Sequence, residues 1–181
     1  MGKKIYFTRH GQTIWNVSGQ VCGATDIELT DLGRSQAAEL GKIIKEEYKD
    51  IDEILYSPLI RAKDTALIVS KVSGIPAFEE PLLKEQNFGI WEGKGRRSEE
   101  FRAARLNFID SYQGGESMLR IAQRIYNLLD RIKNEDSDKV YLLVAHNGIA
   151  RQVNSYFNDL DNTEYSDFGI RNCQVLEFEF D

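Results

Sequence analysis

At 181 residues the chain fits one globular domain, or one domain with a small cap, and can bury a proper core. Its 41% apolar and 29% charged composition is that of an ordinary globular protein. A formal net charge of −6 argues against a general binder of nucleic acid or of anionic membrane surfaces, so any anion site must be local, built from a few converging basic groups.

Lys3 and Lys4 lead directly into a short apolar strand, Ile5–Thr8, without an apolar run of signal-peptide length. Met1-Gly2 lacks the Ser or Thr that a myristoylation motif needs at position 6, where Tyr6 stands. Thr30 reads as an N-cap, with Ala37, Leu40, Ile44 and Tyr48 following at helical spacing. A second strand, Ile54–Tyr56, runs into Ser57-Pro58, which reads as an N-cap followed by proline at the first helical position. Leu59, Ala62, Ala66 and Val69 continue that helix to Gly74. A long helix from about Ser117 carries Ile121, Ile125, Leu128 and Ile132 on one side. Val140–Ala145 is continuously apolar, as in a central strand buried on both faces. At the end of the chain Leu176, Phe178 and Phe180 alternate with Glu177 and Glu179, predicting a strand with one buried face.

Strands alternating with helices predict an α/β sandwich with a largely parallel central sheet. Ligands in such sheets sit beyond the carboxyl ends of the strands, where the strand order switches. The chain has only two histidines, and both fall at such ends: His10 after the first strand and His146 after Val140–Ala145. Arg61 belongs to the first helical turn past Ile54–Tyr56, so three distant stretches converge on one sheet edge.

His10 alone leaves packing, metal and chemistry open. Arg9 beside it favours an anion, and Gly11 lets backbone approach a ligand closely. A zinc site lacks ligands: there is no spaced histidine pair and no CxxC, and the neighbouring arginines repel a cation. Arg61 near a helix N-terminus is either a solvated cation or a fork gripping phosphate. In KEQNFGIWEG, Glu85 and Glu92 are the carboxylates; the segment is either a turn with an aromatic anchor or a holder for a carboxyl poised to donate a proton. Cys22 and Cys173, far apart and with no secretory leader, predict reduced thiols in a cytoplasmic protein.

Taken in order, TRHGQTIWN, CGATDIELTDLGRSQA, SPLIRAKDTA, KEQNFGIWEG, GGES and LLVAHNGIAR resemble the histidine phosphatase superfamily, the phosphoglycerate-mutase-like group, over nearly the whole chain. The resemblance implies one domain over residues 1–181: a three-layer α/β sandwich with a mostly parallel sheet flanked by helices, and a small helical lid at about 92–113, after the Glu85 loop. It implies that His10 is the nucleophile, forming a phosphohistidine. Arg9, Arg61 and His146 would hold the phosphoryl group, with Asn16, Cys22 and Gly23 adding to that pocket, and Glu85 would be the acid and base. No cofactor and no metal are implied; the partner is a small phosphorylated metabolite, not nucleic acid or membrane. Gln12, Asn147 and Gln113 depart from the usual pattern without removing a mechanistic group, and Asn147 would alter pocket shape. Arg151, about a turn into the helix that follows His146, reads as a structural salt-bridge partner rather than a phosphate ligand. The short stretch from Glu85 to Gly114 favours a phosphatase over a phosphoglycerate mutase, and a non-catalytic phospho-ligand binder is the third reading. Within the expected lid, Lys94, Arg96, Arg97, Arg102 and Arg105 form a basic island. It is either a solvated helix face or, through Arg96 or Arg97, a contact for a second anionic group.

Overall fold

The computed structural model describes residues 2–180. Its strands are β1 (Lys4–Arg9), β2 (Glu53–Tyr56), β3 (Ala77–Glu79), β4 (Tyr141–Ala145) and β5 (Val175–Glu179). The long helices are α2 (Asp31–Glu47), α3 (Ile60–Ser73), α5 (Met118–Asn134) and α6 (Asn147–Phe157). Three short ones complete the set, α1 (Ile14–Ser18), α4 (Glu99–Ala104) and α7 (Asn162–Asp167).

The strands form one five-stranded sheet in the order β3-β2-β4-β1-β5, parallel except for β5, which runs antiparallel along β1 at the edge. Side-chain alternation along β1 and β4 feeds two cores. Ile5, Phe7, Leu143 and Ala145 pack with Ile121, Ile125 and Leu128 of α5 and with Ile149 and Val153 of α6. Tyr6, Leu142 and Val144 pack on the opposite face with Leu40 and Ile44 of α2 and Ala62, Ala66 and Val69 of α3. Both faces of the sheet are covered, which is why the central strands read as unbroken apolar runs.

Helix ends follow the sequence at most places. Thr30 and Ser117 cap α2 and α5, their hydroxyls accepting from Gly33 N (3.0 Å) and Arg120 N (3.4 Å). Gly74 ends α3 in the left-handed conformation, φ 84°. The start of α3 is different from the Ser57-Pro58 expectation. The helix begins two residues past the proline, and its first amide, Ile60 N, is capped by Asp26 Oδ1 from a distant loop at 2.8 Å. Ser57 is thereby released for the site described below. The expected lid contains only six helical residues, α4; turns make up much of the rest. Phe101 of α4 anchors it by packing edge-on to Phe88, 5.5 Å between ring centroids, beside the buried Tyr112 and Val21.

Candidate active site

Register brings the histidines together. In the β1–β4 pair Arg9 lies opposite Ala145, and His10 N donates to Ala145 O at 3.0 Å. The residue after each strand is a histidine, so the two rings meet with centroids 5.3 Å apart. On the other side of β4, Ser57 follows β2 and its N–H reaches Val144 O at 3.1 Å. Ser57, His146 and His10 thus stand side by side, one residue past three adjacent strands. His146 Nε2 is 2.7 Å from Ser57 Oγ, which also accepts from Leu59 N at 3.3 Å.

His10 Nδ1 lies 2.7 Å from the Gly11 carbonyl oxygen. A carbonyl only accepts, so Nδ1 carries the ring proton and Nε2 keeps its lone pair. Burial holds the His10 pKa well below the usual histidine range, reinforced by the Arg61 and Arg9 charges and opposed by the Gly11 carbonyl. His146 is wholly buried and is depressed in the same direction, first by burial and then by Arg61, His10 and Arg9. Gly11 itself is explained by packing rather than by a ligand. A Cβ there would sit 2.4 Å from Gly33 O of α2, and Gly11 N donates to Thr65 Oγ1 of α3 at 3.0 Å.

A cavity of about 650 Å³ opens over His10. Its wall includes Asn16, Cys22, Glu85 and seven arginines: Arg9, Arg96, Arg97, Arg102, Arg105, Arg151 and Arg171. Glu85 is the only carboxylate among these lining residues. Its oxygens accept from Gln86 N (2.9 Å) and Gly148 N (3.0 Å). Gly148 must be glycine for that approach, because a Cβ would lie 2.4 Å from Glu85 Oε1. Asn16 is oriented by a reciprocal cap on α1. Its N–H donates to Thr13 Oγ1 and its Oδ1 accepts from Thr13 N at 3.1 Å, leaving the amide nitrogen for other partners. Cys22 is on the wall, but burial pushes its thiol up to about 11, so it is not a thiolate at neutral pH.

Other expected residues lie behind the wall rather than on it. Arg61 is wholly buried, its two terminal nitrogens donating to Gly23 O (2.7 Å) and Thr25 O (2.9 Å). Gly23 is off the wall as well, because its C=O is taken by Arg61 and its N–H by Glu92 at 3.2 Å. Three nitrogens around His10 have no protein partner among the described residues: Arg9 Nε, Arg61 Nε and His146 Nδ1. The two guanidinium N–H groups are donors left for a group other than protein, and an anion would satisfy them.

The two carboxylates of the Glu85 loop separate cleanly. Glu92 accepts from Gly23 N, Ala24 N, Thr25 N, Thr25 Oγ1 and Phe88 N at 2.7–3.3 Å, tying that loop to the strip that holds Arg61. Arg151 corrects its sequence reading. It has no carboxylate partner among the described residues; its Nε donates to Phe168 O at 2.9 Å and it faces the cavity. Asn147 Oδ1 accepts from Ile170 N at 2.9 Å, and Ile170 O accepts from Arg9 Nη1 at 3.0 Å, so the departure at 147 helps to place Arg9. Asn172, absent from the sequence reading, donates to His10 O at 2.7 Å. Only its contact across the sheet could have disclosed it.

The sequence pattern of the histidine phosphatase superfamily (branch 1) matches residues 5–181, and the chain belongs to that superfamily. It is 31% identical over 159 residues to a metal-independent phosphoserine phosphatase from Arabidopsis thaliana, covering 83% of this chain and 66% of that protein. It is 28% identical over 179 residues to a probable phosphoglycerate mutase GpmB from Erwinia tasmaniensis, covering 95% and 82%. The structure of a mycobacterial glucosyl-3-phosphoglycerate phosphatase superposes with a TM-score of 0.82 at 25% identity, covering 98% of this chain and 90% of that one. Relatives and fold together support a phosphatase or mutase activity. Among the described residues no helix is long and apolar enough to cross a membrane.

Proposed function

We propose that the chain is a metal-independent phosphomonoesterase that passes the phosphoryl group of a small phosphorylated metabolite to His10 and then to water. The observation that carries this reading is the contact of His10 Nδ1 with a carbonyl, which leaves the Nε2 lone pair in a cavity whose charged wall is almost entirely arginine. Nε2 attacks phosphorus as the ester P–O bond breaks, and Glu85 gives its proton to the departing oxygen. Water then attacks the phosphohistidine; Glu85 takes the water proton, and the N–P bond breaks to return the lone pair to His10. Arg9 supplies positive charge to the phosphoryl oxygens, with Arg61 Nε and His146 Nδ1 as the unpaired donors behind it and Asn16 as a neutral one. Cys22 lies alongside, and Gly23 acts through Arg61. The exposed Arg96 and Arg97, on the cavity rim, are placed for the rest of the substrate. Residues 92–113 act as a lid subregion of a single domain, and the unpaired Cys22 and Cys173 fit a reducing cytoplasm.

A cofactor-dependent phosphoglycerate mutase would use the same His10, and the GpmB relative favours it. It must keep water from the phosphoenzyme, whereas here the lid segment beside the cavity is short and holds one six-residue helix. Hydrolysis is the better fit. The test is turnover of p-nitrophenyl phosphate in EDTA. Wild type should release phosphate, and His10→Ala should lose at least about a thousandfold in kcat, as expected for loss of a nucleophile. Absence of turnover with any phosphomonoester would refute the enzyme reading. Isomerisation of 3-phosphoglycerate with 2,3-bisphosphoglycerate, without phosphate release, would replace it by the mutase.

A further inference from the structure

Three arginines from different elements hang on one short segment. Arg9 of β1 donates to Ile170 O at 3.0 Å, Arg151 of α6 to Phe168 O at 2.9 Å, and Arg105, just past α4, to Ser166 O at 3.1 Å. The acceptors are every second carbonyl of the stretch, and all three guanidiniums line the cavity over His10. None of the ion pairs among the described residues includes any of them. The chain has 29 acidic residues, yet among the described ones Glu85 alone is on this wall, and both its oxygens already accept from amides.

Pinning a loop requires only a neutral donor. Grouping like charges along a partly buried surface that offers a single carboxylate raises the energy of the empty protein. Arg151 registers that cost: burial, and next the Arg105 charge, lower its pKa to about 10, while it remains cationic at neutral pH. Each guanidinium spends one observed bond on a carbonyl and has further N–H groups in its fork for an oxyanion. An anion bound between Arg151 and Arg105 relieves the repulsion and satisfies those donors.

We propose that Arg105 and Arg151 form a second anion subsite, so that the preferred substrate is a phosphomonoester carrying a further carboxylate or phosphate on the same molecule. The inference rests on the reading that the His10 end takes the phosphoryl group. With that group at Arg9, the second anion extends along the row toward Arg151 and Arg105, and a simple aryl phosphate leaves the row unused.

Two matched pairs of substrates test this, each read as kcat/KM by phosphate release. O-phosphoserine against O-phosphoethanolamine differs by a carboxylate, and fructose 1,6-bisphosphate against fructose 6-phosphate differs by a phosphate. Wild type should prefer the more anionic member of at least one pair by about tenfold or more, the scale of one charge-assisted contact. The responding pair identifies the second group. Arg105→Gln and Arg151→Gln should each lower kcat/KM for the favoured member about tenfold further than for its partner. No wild-type preference in either pair, or equal losses on both members, would overturn the subsite. Arg105→Gln, at the half-buried end of a short helix, keeps the test open where Arg151→Gln does not fold. Should wild type hydrolyse none of the four compounds nor p-nitrophenyl phosphate, the phosphatase reading fails by itself. Calorimetric titration of wild type and Arg105→Gln with the same pairs then decides the subsite: a selective loss of affinity for the more anionic member upholds it, and an equal loss or none rejects it.

Discussion

His146 presents an unpaired Nδ1 next to the proposed nucleophile, and its usefulness depends on which nitrogen holds the proton. Ser57 decides that. Its oxygen accepts from Leu59 N and its one hydrogen can be given to His146 Nε2, an arrangement that would put the ring proton on Nδ1 as a donor. Ser57→Ala should therefore reduce kcat by about 10–100-fold, the scale on which losing the partner that orients an imidazole is felt. Because the chain has only two histidines, ring 15N spectra of labelled protein can follow the tautomer directly. An Nδ1–H signal for His146 that disappears in Ser57→Ala supports the positioning role, and an unchanged tautomer with unchanged kcat ends it. The histidines and arginines were legible in the sequence because each follows an apolar run that had to be a strand. Ser57 was not. Ser-Pro before a helical pattern is also the signature of a cap, and only the β2–β4 register shows that this serine faces a histidine. Arg151 differs from its sequence expectation for a related reason: local sequence reveals a cation, not whether a carboxylate stands opposite it.

At the scale of elements, the long helices and central strands were legible because packing reinforces their periodicity over several turns or over both faces of the sheet. The pieces that escaped are short: β3 is three residues at a sheet edge with Phe78 half exposed, and α1 and α7 have five and six residues. In such elements tertiary contacts override propensity. The Glu85 loop shows the same limit. Both of its glutamates were visible, but their division of labour required the fold, which gives Glu92 five donors and places Glu85 on the cavity wall. Glu92→Ala leaves those donors without their shared acceptor and frees the strip carrying Gly23 O and Thr25 O, the two anchors of Arg61. It should cost about 2–3 kcal/mol, the range for hydrogen bonds to a charged group, measured as a lower urea midpoint. Since Arg61 is held by that strip, KM for p-nitrophenyl phosphate should also rise. A midpoint within error of wild type would show that the loop is held by its aromatic packing alone.

Over the whole molecule, the α/β class could be read from alternating segments, but the strand order could not. Inserting β4 between β2 and β1 is a pairing across more than eighty residues, and no local signal encodes it. That insertion has an acid–base consequence for the entire fold, because it buries both histidines at the centre of the sheet edge. Their pKa values in the folded protein lie well below the usual histidine range, whereas in the unfolded chain each titrates near about 6.5. Below that pH the unfolded state binds more protons than the folded state, so stability is full above about pH 6.5 and is lost as pH falls. Each histidine contributes a slope approaching about 1.4 kcal/mol per pH unit once its unfolded form is mostly protonated and its folded form is not. Urea denaturation should accordingly give a plateau from pH 7 to 8 and a decline between pH 6.5 and 5.5, before most carboxylates titrate. His10→Asn should remove one of the two contributions, making the decline in that window shallower than in wild type. A wild-type stability that is flat across the window, or a slope unaltered by His10→Asn, would mean that the folded protein accommodates an imidazolium at this edge. That result would also undercut the unprotonated Nε2 on which phosphoryl transfer to His10 depends.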